Sequence, residues 1–201
     1  MGKTMKTKDF LKKHDACIDG ARWALSISEE MADVWDAMIE NGKHEWLVWT
    51  VTRPGVFPDS SLRKLACRFI RETPLADGRK VWDLLTDERS RKAVEVAEAY
   101  ADGKATDGEL QAARVAHAAV RAAAYAAYAA YADYADYAAA RVARAAAYVA
   151  YADYAAYAAA RAAAYATDAT AYAAADDAVA KAAQVQMIAE LGNPFKERAG
   201  R

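Results

Sequence analysis

From residue 110 to residue 191 the chain contains neither glycine nor proline, and roughly three residues in five between 118 and 166 are alanine. Glycine and proline interrupt helices, whereas alanine has the highest helix propensity. One continuous helix of about 80 residues would extend on the order of 120 Å. We therefore expect two or three antiparallel helices; a single long helix in a groove of the first half or of another subunit is the alternative packing.

Tyrosine recurs at every third position in two runs of this helical region, 125–137 and 148–157, and the block 131–141 is repeated with one change at 151–161. At about 100° per residue, each step of three falls back about 60°, so one seam cannot hold all the rings. In both blocks an arginine follows the last tyrosine by four residues, where its guanidinium can lie over that ring. We expect the exposed members of this set to contact a partner or another subunit. The predicted interaction surface comprises Tyr131, Tyr134, Tyr137, Arg141, Arg144, Tyr151, Tyr154, Tyr157 and Arg161.

The aromatic residues divide the chain into two compositional parts. All five tryptophans precede residue 86, and every tyrosine except Tyr100 lies between 125 and 172. Gly103 stops one helix, and Thr106 with Glu109 fits a capping box that starts the next. We predict an all-α protein with a compact tryptophan-containing domain (1–103), alanine- and tyrosine-rich repeat helices (104–192) and a C-terminal tail (193–201).

Local signals predict several short helices in the first part. Ser28, followed by acidic residues, is a candidate N-cap for a helix that stops at Asn41 and Gly42. Residues 43–52 are predicted to be helical, although their sequence also has strong strand propensity. A further helix is expected from Asp59 onward, with an apolar face at helical spacing.

The charge balance argues against a general nucleic-acid binder, because 27 basic side chains are matched by 28 acidic ones. The apolar fraction of 55% is inflated by alanine, and the mean hydropathy of -0.20 argues against membrane insertion. The basic first residues lack the apolar core of a signal peptide, and two cysteines are too few for a disulfide framework. A cytoplasmic location is therefore expected.

No arrangement of residues in the sequence indicates catalysis. His14 and Cys17 could suggest a nucleophile pair, but nothing beside them supplies an orienting group or an oxyanion hole. The three histidines and two cysteines have no metal-site spacing, and phosphate-binding glycine motifs are absent from the sequence. We predict no catalytic residue, no metal and no cofactor, so the protein is not expected to be an enzyme.

Several short motifs resemble those of a widespread, mostly uncharacterised group of alanine-rich helical proteins from bacteriophages and bacteria, some of which are described as immunity proteins. The motifs lie at 16–20 with Trp23, at 45–49, 62–67, 87–93 and 97–103, and at 184–195 after the alanine-rich run. The resemblance implies a phage or bacterial accessory protein that acts by binding, and it implies no catalytic residues.

These observations favour a non-enzymatic protein that binds a protein target, such as a toxin or a host defence component, through helical surfaces. Two alternatives stay open. The repeats could pair across subunits in a self-assembling structural protein. A cavity between helices, lined by tyrosines, could instead bind a small molecule.

Overall fold

A computed structural model describes residues 5–75, 77–115, 155–174 and 177–196. Within these ranges the regular structure is helical and contains no β-strand, so the all-α class is confirmed for them. The helices are α1 (Thr7–Lys13), α2 (Ile18–Ile27), α3 (Met31–Glu40), α4 (His44–Val51), α5 (Asp59–Glu72), a 3-10 helix (Val81–Leu84), α6 (Glu88–Ala101), α7 (Ala155–Ala174) and α8 (Ala178–Ala189). Residues 107–115 are also helical.

Helix α5 lies at the centre of the fold and has a continuous apolar face. Leu65, Phe69 and Ile70 on this face are completely buried. Helix α7 packs against α5, and its buried side chains are mostly alanines such as Ala162 and Ala166. Alanine has no side-chain rotamers to order, and its small size lets two helix backbones approach closely. The alanine-rich sequence of α7 therefore suits close packing on the larger side chains of α5.

The C-terminal residues return to the first helices and join the same hydrophobic core. Ile188 on α8 is fully buried within that core. The Asn193 side chain donates hydrogen bonds to the Ala32 carbonyl (2.8 Å) and to Asp36 Oδ1 (2.9 Å). Two residues later, the Phe195 ring packs edge-on against Phe10 at 5.2 Å between centroids. Described residues from both compositional parts of the chain thus form one core.

Several of the local predictions are confirmed, among them the end of α3 before Asn41 and Gly42 and the start of α5 at Asp59. Residues 44–51 are helical despite their strand propensity, because tertiary packing buries Leu47 and Val51 on the same face. The capping box is also present: the Thr106 amide donates to Glu109 Oε2 (2.7 Å), and the Glu109 amide donates to Thr106 Oγ1 (3.2 Å).

The prediction that Ser28 caps α3 is wrong. The backbone stays extended through Glu30, which forms an isolated antiparallel bridge with Lys6, so the helix begins only at Met31. Ser28 instead accepts a hydrogen bond from the Glu30 amide (3.1 Å) and donates one to Asp33 Oδ2 (2.7 Å). The bridge between Lys6 and Glu30 therefore displaces the start of α3 from the position that the local sequence favours.

None of the described helices is both long enough and apolar enough to cross a lipid bilayer.

Candidate functional site

Helices α1 to α4 surround an apolar cavity of about 220 Å³, which we call the tryptophan pocket. Four aromatic residues contribute to its lining: Phe10 from α1, Trp23 from α2, and Trp46 and Trp49 from α4. Aromatic rings offer large, rigid contact areas that lose little conformational freedom when a ligand binds. The pocket is therefore suited to an apolar group.

Helix α4 presents its tryptophans to the pocket because its other face is held in the core. Leu47 and Val51 lie four residues apart and are fully buried. Trp46 and Trp49 lie three residues apart on an adjacent face of the same helix and are only partly buried. The order of apolar residues in this short helix thus fixes which side chains line the pocket.

Gly20 lies on α2 at the edge of the pocket, beside Cys17 and Trp46. A Cβ atom at this position would lie 3.1 Å from Cys17 Sγ and 3.7 Å from the Trp46 ring. The rings of Trp23 and Trp46 lie 5.1 Å apart between centroids, at a tilt of 48°. An alanine at Gly20 would crowd Cys17 Sγ, whereas its Cβ would be in ordinary van der Waals contact with the Trp46 ring.

Cations lie over the indole rings that line the pocket. The ammonium of Lys43 lies 5.6 Å from the Trp23 ring centroid and 5.3 Å from that of Trp46. The guanidinium of Arg53 lies 4.8 Å from the centroid of Trp49 and donates a hydrogen bond to the Trp49 carbonyl (3.0 Å). Lys43 therefore places a positive charge beside two of the rings that line the pocket, whereas the charged residue within the lining itself is Glu45.

The outer face of α2 exposes large apolar side chains beside the pocket. Ile18 is 75% exposed and Leu25 is 52% exposed, and their spacing of seven residues places them on one side of the helix. We call these two residues the α2 strip. Among the residues of α2, only Ala24 is buried. An amphipathic helix that leaves apolar residues in water next to an apolar cavity is typical of a binding surface.

A second cavity, of about 330 Å³, lies between α4, α7 and α8, and we call it the polar cleft. Glu45 and Asp177 line it, and both carboxylates pair with the ammonium of Lys181, at 3.2 Å and 3.0 Å. The pKa of Glu45 is lowered, first by a hydrogen bond from its own amide and further by Lys181. In the described parts of the chain, no group of metal-ligating side chains could hold a metal ion, here or elsewhere.

A buried hydrogen-bond network lies next to the polar cleft and joins α4 to α8. His44 Nε2 lies 2.6 Å from Gln184 Oε1, and Thr167 Oγ1 donates to the same oxygen at 3.4 Å. The Gln184 amide nitrogen donates to the Ala163 carbonyl at 3.3 Å, which orients the amide and turns its oxygen toward His44. Because an amide oxygen only accepts, His44 Nε2 must carry the proton.

The network leaves the other ring nitrogen of His44 without a partner among the described residues. Nδ1 is buried, and the whole His44 residue is 6% exposed. Burial lowers the pKa of His44 below its ordinary value, and the hydrogen bond with Gln184 offsets part of this effect. His44 is therefore a neutral structural histidine at pH 7, with its protonated nitrogen directed at Gln184.

The cysteines occupy different environments. Cys17 is exposed at the N-cap of α2, where its sulfur accepts a hydrogen bond from the Gly20 amide at 3.4 Å. The His14 ring packs on Phe10 at 4.6 Å, and no hydrogen bond joins it to Cys17. Cys67 is fully buried, and burial raises the pKa of its thiol. Neither cysteine is arranged with the described residues as an activated nucleophile.

Two residues of the predicted interaction surface are described. Tyr157 is 45% exposed, and the Arg161 guanidinium lies 5.1 Å from its ring centroid, as the four-residue spacing led us to expect. Arg161 Nε also donates to the Tyr157 hydroxyl at 3.0 Å. Their role in binding stays a prediction. The other members lie outside the described residues: Tyr131, Tyr134, Tyr137, Arg141, Arg144, Tyr151 and Tyr154.

The tryptophan pocket was not predicted from the sequence. No local signal in the sequence identifies it, because the lining residues come from four helices. Comparison of the chain with protein-family models, with curated proteins and with solved structures found no match. A functional interpretation therefore depends on the geometry of the chain itself.

Proposed function

We propose that this chain is a non-enzymatic binding protein whose tryptophan pocket takes one apolar side chain of a protein partner. The volume of the pocket carries the proposal. Its 220 Å³ exceeds the cavity of about 150 Å³ that holds a benzene molecule, but is less than the roughly 300 Å³ at which pockets for drug-sized ligands begin. An opening of this size accommodates a single aromatic or aliphatic side chain.

The α2 strip supports the choice of a protein partner over an isolated small molecule. Ile18 and Leu25 are exposed apolar residues beside the pocket, where they can extend the contact beyond one inserted group. Interfaces commonly place an anchor in a pocket and surround it with weaker contacts that exclude water. From the resemblance described for the sequence, we propose that the partner is a toxin or host defence component in a bacterial cell.

Self-association is the second candidate function, and the exposed Tyr157 ring beneath Arg161 favours it. Tyrosine and arginine are enriched at interface hot spots, and this pair belongs to a block that the sequence repeats. Light scattering of the purified chain distinguishes the two functions, because large assemblies without any partner would favour self-association.

The proposed function is tested by closing the pocket. Ala16 lines the pocket, so Ala16→Phe should fill part of it, while Ala182→Phe adds the same side chain to an exposed position on α8. We expect lysates from uninfected and phage-infected bacteria to yield a partner that the wild-type and Ala182→Phe proteins retain and Ala16→Phe loses. Equal retention by all three proteins, or no specific partner in either lysate, would contradict the proposal.

A further inference from the structure

The position of Lys43 indicates which charge an occupant of the tryptophan pocket would carry. It immediately precedes α4, and its carbonyl accepts the Leu47 amide at 2.9 Å, which fixes the backbone at the start of the helix. Its ammonium lies over the rings of Trp23 and Trp46. Within the described parts of the chain, no carboxylate lies within ion-pair distance of this ammonium. Lys43 therefore presents an uncompensated positive charge where two walls of the pocket meet.

The nearby charges do not cancel that of Lys43. Glu45 also lines the pocket, but its carboxylate pairs with Lys181 on the side of the polar cleft. Asp19 on α2 pairs with Arg22 at 3.4 Å. Arg53 adds a second cation over the Trp49 ring. Because Glu45 is paired with Lys181, the ammonium of Lys43 is the charge that remains beside the Trp23 and Trp46 rings, and it complements an anion.

We propose that the segment bound in the tryptophan pocket is acidic, with an aromatic or aliphatic side chain in the cavity and a neighbouring Asp or Glu carboxylate at Lys43. This inference deepens the proposed function and rests on it for the identity of the contact surface. The apolar side chain would displace water from the indole faces, while the carboxylate would pair with the ammonium that those faces already hold. This pairing would favour apolar segments with an acidic neighbour, because a basic neighbour would be repelled by the ammonium of Lys43.

Three indole compounds test the charge preference without any protein partner. 3-Methylindole is neutral, indole-3-acetate is an anion and tryptamine is a cation, while all three have the same ring. By calorimetry at low salt, we expect indole-3-acetate to bind about five- to tenfold more tightly than 3-methylindole, and tryptamine to bind most weakly. The preference should decrease as salt is raised, because the charges lie at the pocket edge. Shifts of the tryptophan indole N–H signals in NMR spectra locate the bound probe.

Variants of Lys43 assign the preference to its charge. Lys43→Gln should bring the affinities for indole-3-acetate and 3-methylindole within about twofold of each other, and Lys43→Arg should keep them apart. Lys92→Gln removes an exposed ammonium on α6 and serves as the matched control. Equal affinities for the three compounds in the wild-type protein, or a preference that survives Lys43→Gln, would overturn the inference. The absence of binding by all three compounds would also overturn the inference. The capture experiment with Ala16→Phe tests the proposed function separately.

Two blocked peptides distinguish an acidic protein segment from a free organic acid. Acetyl-Glu-Trp-Glu-amide and acetyl-Gln-Trp-Gln-amide differ only in the charge beside the indole. We expect the acidic peptide to bind more tightly, and Lys43→Gln to remove the difference. If indole-3-acetate is preferred over 3-methylindole while the two peptides bind equally, the occupant is a small acid and the assignment to a protein segment fails.

Discussion

Replacing Gln184 with leucine should destabilise the protein although the new residue is apolar. The side chain of Gln184 contacts four groups in the core: His44 Nε2 at 2.6 Å, Thr167 Oγ1 at 3.4 Å, Thr73 Oγ1 at 3.4 Å and the Ala163 carbonyl at 3.3 Å. Leucine can form none of these hydrogen bonds. The consequence depends on which groups find another partner.

His44 Nε2–H has no alternative partner among the described residues, and this determines the magnitude of the effect. The threonine hydroxyls can rotate, and the Ala163 carbonyl lies within α7, where it still accepts a backbone amide. The His44 Nε2–H group, by contrast, becomes an unsatisfied buried donor, which costs about 1–3 kcal/mol. Loss of the longer hydrogen bonds adds about 0.5–1.5 kcal/mol. We expect Gln184→Leu to lower the free energy of unfolding by about 2–4 kcal/mol, with a Tm decrease of about 2–4 °C for each kcal/mol.

Denaturant unfolding followed by circular dichroism measures this effect. Gln186→Leu makes the same change at an exposed position two residues away on α8 and should stay within about 0.5 kcal/mol of wild type. The double variant His44→Phe with Gln184→Leu removes both partners of the short hydrogen bond. It should be at least about 1 kcal/mol more stable than the sum of the two single effects predicts. A Gln184→Leu protein as stable as Gln186→Leu, with additive effects in the double variant, would refute the reasoning.

Three further predictions follow from individual side chains. Burial lowers the pKa of His44 and of His14, so the unfolded chain takes up protons at a higher pH than the folded protein does. The contribution of these neutral histidines to the free energy of unfolding should be fully present above the ordinary pKa of 6.5 and be lost as the pH falls below it. His44→Gln should make this loss smaller. Ellman's reagent should modify the exposed Cys17 in the folded protein, but the buried Cys67 only after denaturation; rapid reaction of both thiols without denaturant would contradict this. Tyr157→Ala should change the free energy of unfolding by less than about 1 kcal/mol in thermal unfolding, far below the 3–5 kcal/mol of a buried aromatic ring, because nearly half of the residue is exposed.

The part of the fold that could be predicted from the sequence is the part set by local chemistry. The capping box at Thr106 and Glu109 depends on side chains three residues apart, and the sequence predicts it correctly. The start of α3 could not be predicted from Ser28, because a bridge to Lys6, far away in sequence, keeps Glu30 extended. Local signals are reliable where no distant segment competes for the same backbone groups.

The candidate site was harder to predict, because its residues are brought together by tertiary packing. Trp46 and Trp49 could be placed on one helix, but the partner ring of Trp46 comes from Trp23 on another. The hydrogen bond between His44 and Gln184 joins residues 140 positions apart, and no periodic pattern encodes such a pair. Spacing within the sequence therefore indicates the members of single faces, whereas the pocket and the network require the arrangement of several helices.

Helix α4 separates the two cavities, and its orientation links them. Glu45 lines both the tryptophan pocket and the polar cleft. A helix of eight residues is too short to be stable alone, so its tertiary contacts determine how it lies. The hydrogen bond from His44 to Gln184 ties the first turn of α4 to α8, and this turn is directly followed by the part that carries Trp46 and Trp49. The buried polar contact thus orients the part of α4 that carries the indole rings, and under the proposed function a preformed pocket would reduce the entropic cost of binding a partner.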